Sequence, residues 1–494
     1  MELKCSFNFA VAKISAQKSQ EAFPYLFESV KKSEVCRGFL KDNDEFKILY
    51  SDQKMISLKV LSKLFCDTGN PEKALYAEEL GRTRALSDLM AAKYFVESEI
   101  SADPQSWTGI ENVVNLESDC TCLYISYTDQ NVLLWILKAS GDIQYRTVAV
   151  EKKTLEAKLA TNLYEYFANI ADNFRSVGIL PEEKCEDRSL NGTEPKPVSS
   201  YQEKLAVSRK AKDKVDPKPS LTLFYQMIIA PVTNLLKTQE IIIIPERSLY
   251  RVPFPALLDE GEKYLSETFR IRIAPSLATL KLIQDSPADY HSQTGALIVG
   301  EPDVGEVFLK GYRKKFAPLP CARNEAEMIG QWLGVKPLLG KDATKQAVLE
   351  RIHSVSLVHL AAHGDTERGE IVLAPERTGG GTPYDEDYLL TMSEISKVQV
   401  RAKLVVLSCC HSAQDQIRAE GVIGIARAFL ESGARSVLVS LWALEDSATE
   451  HFMRRFYKNL MRGKSASESL HQAMKWMRDH GFSDVFRVST FLAD

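Results

Sequence analysis

Short apolar segments alternate with helical segments through the second half of the chain, and this alternation limits the possible folds more than any other feature. Strands buried on both faces appear in sequence as brief, nearly continuous apolar runs, and they occur in parallel sheets covered by helices. We therefore predict an α/β fold with a mainly parallel sheet flanked by helices. The predicted strands span residues 240–245, 295–300, 356–362, 403–408, 434–441 and 486–493.

Two of these predicted strands run directly into reactive residues. One leads into His363 and Gly364, and the other leads into Cys409 and Cys410. Ligand sites in parallel sheets lie at the carboxyl ends of the strands, so an imidazole and a thiol should meet at one edge. Attack on a peptide carbonyl needs a thiolate, a proton donor for the leaving amine and N–H groups for the oxyanion. We expect the backbone N–H groups of Gly364 and Cys410 to form that oxyanion hole.

Several motifs in the same region resemble one protein family. The segments VHLAAHG, VVLSCCHSA and EGVIGIARAFLESGARSVLVSLWALEDSAT are similar to those of the CHAT family. These are caspase-like domains that are found with tetratricopeptide repeats and are related to separase. The His residue precedes the Cys residue by about 50 positions, as in caspases. The resemblance implies a cysteine endopeptidase with His363 and Cys410 as its catalytic pair, and Cys409 in the position of a small packing residue.

The chain is too long for one hydrophobic core, because single cores stop growing at about 250–300 residues. Residues 1–100 are predicted to be helical, and 55–86 resemble a tetratricopeptide repeat. By resemblance to separase-like proteins, 101–290 form a pseudo-caspase lobe and 291–494 the caspase-like domain. A polar stretch around 182–219 is predicted to be a mobile insertion, and the segments 311–320 and 376–389 are predicted to be loops beside the site.

The pocket for the substrate side chain is predicted from the residues around the nucleophile. Relatives that prefer a basic residue commonly have an acid two residues before the nucleophile, but this chain has Ser408 there. The segment LWALEDSATE resembles one that gives separase-like proteins an acidic pocket wall. Asp446 is the best match, with Glu445 beside it. The resulting hypothesis is a basic residue at P1, the substrate residue before the scissile bond. The alternative is that Asp446 only caps the helix that it begins.

Composition limits the kinds of binding partner and the cellular compartment that we expect. A net charge of −4 favours neither nucleic acid nor a membrane surface as a partner. Nine cysteines without framework spacing are typical of free thiols in a reducing compartment, so we expect a cytoplasmic protein. No metal site or cofactor is predicted. The expected partners are a protein or peptide substrate and a protein regulator bound through the helical segment. A catalytically silent scaffold for protein–protein interaction is the alternative function.

Overall fold

The computed structural model describes most of the chain. The described residues are 2–39, 44–82, 84–96, 113, 119–156, 160–176, 188, 218–364, 370–376, 381–409, 424–441, 446–481 and 490–493. The predicted insertion around 182–219 therefore lies mostly outside them. No helix in these ranges is long and apolar enough to cross a membrane.

Helices make up the first part of the structure and later cover the sheet. Those of the first part are α1 Glu2–Ser15, α2 Ser19–Gly38, α3 Asp44–Asp67, α4 Pro71–Leu80 and α5 Arg84–Tyr94. Those of the middle part are α6 Lys152–Glu156, α7 Leu163–Ser176, α8 Lys218–Phe224, α9 Leu265–Thr268 and α10 Leu277–Gln284. Those of the last part are α11 Pro320–Leu333, α12 Lys345–Arg351, α13 Asp385–Tyr388, α14 Met392–Lys397, α15 Gly424–Glu431, α16 Asp446–Leu460 and α17 Ala466–Asp479.

Strands from both halves of the chain join in one large sheet. The strands are β1 Cys120–Tyr127, β2 Asn131–Lys138, β3 Ile143–Ala149, β4 Glu240–Ile244, β5 Arg270–Ile273, β6 Ala296–Pro302, β7 Glu306–Leu309, β8 Tyr312–Lys315, β9 Leu338–Gly340, β10 Leu357–Ala361, β11 Ile371–Val372, β12 Leu389–Leu390, β13 Leu404–Ser408, β14 Val437–Ser440 and β15 Thr490–Ala493. In the described residues the large sheet has the order β3-β2-β1-β4-β5-β15-β14-β13-β10-β6-β9, and most of its neighbours are parallel. The predicted mainly parallel α/β sheet is confirmed.

Strand β13 shows why the sheet is covered on both faces. Val405 and Leu407 point into the large core that also contains helix α15, whereas Leu404 and Val406 point into a core shared with α11, α16 and α17. All four side chains are buried. Because neighbouring side chains of a strand point to opposite faces, a continuous apolar run requires a helical layer on each side.

The first helices pack against the other end of the sheet. Helices α3 and α4 form the predicted pair around a turn, in which Gly69 has a φ of 78° that suits glycine. Ala74 and Ala77 on α4 are fully buried in the core that contains Trp135 of β2. The indole Nε1 of Trp135 donates to the Pro71 carbonyl at 2.7 Å. The helical pair therefore packs on the sheet and does not stand alone.

Two predicted loops contain short elements. The segment 311–320 includes strand β8, which pairs with β7 in an antiparallel hairpin. The segment 376–389 includes the short helix α13 and the start of β12. Strand β8 has the sequence YRKK, whose side chains are mostly exposed, so it lacks the apolar alternation that would have revealed it.

Candidate functional site

The two strands that carry the predicted catalytic residues are neighbours in the sheet. Strands β10 and β13 are parallel, and Ala361 at the end of β10 pairs with Ser408 at the end of β13. His363 follows Ala361 by two residues, and Cys410 follows Ser408 by the same number of residues in the sequence. Cys410 itself lies outside the described residues. The expectation that both segments leave the same sheet edge rests on this register.

His363 is held at the strand end by a backbone carbonyl. Its side chain is buried, and its Nε2 atom lies 2.9 Å from the Ala317 carbonyl oxygen. The ring also packs against Phe316, with 5.4 Å between the ring centroids. A carbonyl can only accept a hydrogen bond, so Nε2 carries the proton in the neutral imidazole and Nδ1 has the lone pair. The Ala317 carbonyl thus fixes both the tautomer and the orientation of the ring.

Cys409 is a packing residue in this structure. Its side chain is fully buried, and its Sγ donates to the Leu360 carbonyl oxygen at 3.2 Å. Burial raises the pKa of the Cys409 thiol to about 12. A thiol with such a pKa is protonated at neutral pH and is a poor nucleophile.

A fully buried arginine, Arg188, lies beside the end of β13. Its Nη1 donates to both the carbonyl and the hydroxyl oxygen of Ser408, at 2.9 and 2.7 Å. Its Nε donates to Asp446 Oδ1 at 2.8 Å, and its Nη2 donates to Glu325 Oε2 at 2.9 Å. Two carboxylates and two further oxygens therefore surround one guanidinium, a geometry that suits arginine better than lysine.

The backbone of Arg188 contacts the same site. Its carbonyl oxygen accepts a hydrogen bond from the Gly364 N–H at 2.9 Å. Gly364 follows His363 directly, and it is one of the two residues predicted to supply the oxyanion hole. The side chain of Arg188 and its carbonyl group therefore contact two different parts of the predicted site.

Glu325 connects the guanidinium to a buried histidine. Burial alone would raise the pKa of Glu325, but the adjacent Arg188 guanidinium and His359 outweigh this effect and lower it. Its Oε1 lies 2.8 Å from His359 Nε2, and His359 Nδ1 lies 2.9 Å from the Tyr457 hydroxyl. The carboxylate therefore remains ionised at neutral pH and gives this pocket a fixed negative charge.

Two of the three predicted pocket residues lie in the described part of the chain. Ser408 and Asp446 both contact the Arg188 guanidinium, whereas Glu445 lies outside the described residues. Asp446 is the first residue of α16, and its Oδ2 accepts a hydrogen bond from the Cys321 N–H at the start of α11. Its carboxylate therefore faces both an arginine and the amino end of a neighbouring helix, which is more than capping its own helix would require.

Sequence reasoning missed three contributors to this site: Arg188, Glu325 and the Ala317 carbonyl. Arg188 lies in a polar stretch without periodicity, so no local signal marked it. Glu325 did leave a signal, because it lies on the apolar face of α11 between Ala322 and Ala326, where a carboxylate needs a buried partner. A backbone carbonyl such as that of Ala317 leaves no signal in a sequence.

The described residues contain no group of three or more His, Cys, Asp or Glu side chains that could hold a metal ion. The imidazole of His363, the N–H of Gly364 and the carboxylates around Arg188 are groups that this arrangement offers for chemistry.

The family model described as the CHAT domain matches residues 218–485. Tetratricopeptide repeat protein 28 of Homo sapiens is 24% identical and covers 92% of this chain, and that of Mus musculus is 25% identical over the same share. The chain spans only 22% and 23% of the length of these two relatives.

Two solved structures are similar to the chain. The Saccharomyces cerevisiae separase–securin complex has a TM-score of 0.49 and 14% identity, over 97% of this chain and 38% of that chain. The Arg-specific cysteine proteinase gingipain R has a TM-score of 0.35 and 10% identity, over 60% of this chain and 68% of that chain.

Proposed function

The chain belongs to the CHAT-domain family, and on this premise we propose that it is a cysteine endopeptidase that cleaves protein substrates after a basic residue, with arginine preferred. The observation that carries the proposal is the guanidinium held between Ser408, Glu325 and Asp446 at the end of β13. In the sequence, this end of the strand is two residues from Cys410.

In the proposed reaction the Cys410 thiolate attacks the carbonyl carbon of the P1 residue. The oxyanion of the tetrahedral intermediate accepts hydrogen bonds from the N–H groups of Gly364 and Cys410. His363 protonates the leaving amine when the C–N bond breaks, and a thioester remains on Cys410. A water molecule then loses a proton to His363 and hydrolyses the thioester, which releases the acid and the thiol.

The acidic pocket supports arginine over other P1 residues. Glu325 and Asp446 accept from different nitrogens of the guanidinium, and the two oxygens of Ser408 share a third nitrogen. A lysine ammonium is a point charge and cannot reach all of these acceptors at once. An uncharged P1 residue would leave two buried carboxylates without a cation, which is strongly unfavourable.

Turnover of fluorogenic peptides that differ only at P1 tests the proposal. We expect kcat/KM to be highest for arginine, lower for lysine and lowest for alanine or aspartate. Asp446→Asn should reduce kcat/KM for arginine by about tenfold to a hundredfold, because a hydrogen bond to a charged group contributes about 1.5–3 kcal/mol. Glu450→Gln, on the same helix, should leave the preference unchanged.

Two results would contradict the proposal. An arginine preference that survives Asp446→Asn would show that the pocket is elsewhere. The absence of any cleavage, for every peptide, by the wild-type chain and by a folded variant without Arg188 would favour the alternative of a silent scaffold for protein–protein interaction.

A further inference from the structure

We propose that Arg188 occupies, within its own chain, the pocket that receives the arginine of a substrate, so that the chain blocks its own site. The inference rests on the proposed function for the identity of the pocket. The occupant itself is assigned from the contacts of Arg188 alone.

The side chain of Arg188 fills the pocket completely. It has no exposed surface, and it contacts Ser408, Glu325 and Asp446. The acceptors that would bind a substrate's guanidinium are therefore already engaged. A second arginine side chain cannot reach them until Arg188 leaves, so the two ligands exclude each other.

The backbone of Arg188 distinguishes it from an ordinary buried ion pair. The guanidinium contacts alone would suit any buried structural arginine, but the carbonyl of Arg188 also accepts a hydrogen bond from the N–H of Gly364, the residue after His363. A P1 residue makes this pair of contacts when its side chain is in the specificity pocket and its carbonyl is in the oxyanion hole. Arg188 is therefore bound in the manner of a substrate residue.

Arg82 offers a comparison within the same chain. It is also buried, its guanidinium lies 3.8 Å from Glu246, and it donates to the carbonyl oxygens of Ile125, Ile244 and Pro245. These contacts join α4 and the sheet, far in sequence from the strands that end at His363 and Cys410. Arg82 therefore serves as a matched buried arginine that is outside the site.

An occupant on the same chain competes at a high effective concentration. The apparent Kd for an external ligand equals its intrinsic Kd divided by the fraction of molecules whose pocket is empty. If the occupied form makes up about nine tenths of the population, removal of the occupant tightens external binding about tenfold. Removal of a purely structural arginine would leave binding unchanged or weaken it, so the sign of the effect separates the two roles.

The test uses the full chain with Cys410→Ala, so that no cleavage can occur. The probe is a fluorescein-labelled pentapeptide with one arginine flanked by glycines, and its binding is measured by fluorescence anisotropy. We expect Arg188→Ala to lower the Kd by about tenfold or more. Arg188→Lys should give a smaller decrease, and Arg82→Ala should give none. The same peptide with citrulline in place of arginine should bind weakly to every variant.

If Arg188→Ala does not fold, Arg188→Lys serves as the variant, since it keeps the positive charge. A folded variant that binds the arginine probe no more tightly than the parent would overturn the inference, and so would equal tightening for the citrulline probe. Turnover separates this outcome from failure of the proposed function. Suppose that Arg188→Ala binds the probe more tightly, but the same variant with Cys410 intact cleaves no peptide. The peptidase function would then be wrong, and the assignment of Arg188 as the pocket's occupant would stand. Cleavage without tighter binding would support the peptidase function and overturn the assignment of Arg188.

Discussion

Burial makes several thiols of this chain poor nucleophiles. Burial raises the pKa of Cys409 to about 12, and the pKa values of Cys66 and Cys321 to about 11. Such thiols carry little thiolate at neutral pH. The assignment of the nucleophile to Cys410 came from the family resemblance, and the burial of Cys409 agrees with the packing role that the resemblance implied for it.

Substitution of each neighbouring cysteine separates these roles. Cys410→Ala should reduce peptide cleavage by at least about a thousandfold, because no other group replaces the nucleophile. Cys409→Ala should retain most activity and lose about 1 kcal/mol of stability, since it removes one buried hydrogen bond and some packing. Steady-state kinetics and thermal unfolding of both variants measure this. An inactive Cys409→Ala beside an active Cys410→Ala would show that the nucleophile was misassigned.

At the level of elements, buried carboxylates connect helix α4 to α3 and to α10. Glu79 on α4 is almost fully buried, and its Oε1 accepts from the Ala278 N–H at the start of α10, at 2.7 Å. Its neighbour Glu78 lies 2.6 Å from Lys59 in an ion pair. The two carboxylates are adjacent in sequence, but only Glu78 has a lysine as a direct partner at this distance.

Glu79→Gln should stabilise the protein at neutral pH. Burial raises the pKa of Glu79 above its usual value, so the folded state favours its protonated form. Its contribution to stability is therefore largest at acid pH and falls as the pH rises through the folded pKa. A neutral amide avoids this loss, and Tm should increase by roughly 1–2 °C at neutral pH.

Melting curves of the Glu79 variant at several pH values measure the effect. The gain should shrink as the pH falls through the raised pKa of Glu79 in the folded state, because the wild-type carboxyl then becomes protonated. Glu78→Gln is the matched control and should lower Tm, because it breaks the pair with Lys59. A Glu79 variant that is less stable than wild type at every pH would contradict the prediction.

Elements with an apolar period were predictable, and those held by tertiary contacts were not. The β1–β2 hairpin and the strands that end near His363 and Cys410 follow from apolar runs in the sequence. Arg188 could not be placed, because its burial depends on oxygens from residues more than a hundred positions away. Periodicity reports which face of an element is buried, but it does not report which distant polar group fills a pocket.

The whole molecule joins its two halves through the sheet and through the site. Strand β15 pairs with β5 from the middle of the chain and with β14 from the last part. Arg188, which precedes β4, reaches the ends of strands that come much later in sequence. The predicted domain limits at 100 and 290 remain a proposal, and the site depends on residues from both sides of the second limit.

Covalent labelling with an arginine acyloxymethyl ketone, followed by peptide mapping, tests the central claim most directly. This electrophile is irreversible, and its guanidinium selects for the pocket with Asp446. We predict that the arginine reagent modifies Cys410 and that its norleucine counterpart modifies Cys410 only slightly. The arginine reagent should react much more slowly with the His363→Ala variant. Equal labelling by both reagents, or labelling at another cysteine, would contradict the assignment of an arginine-directed thiol peptidase.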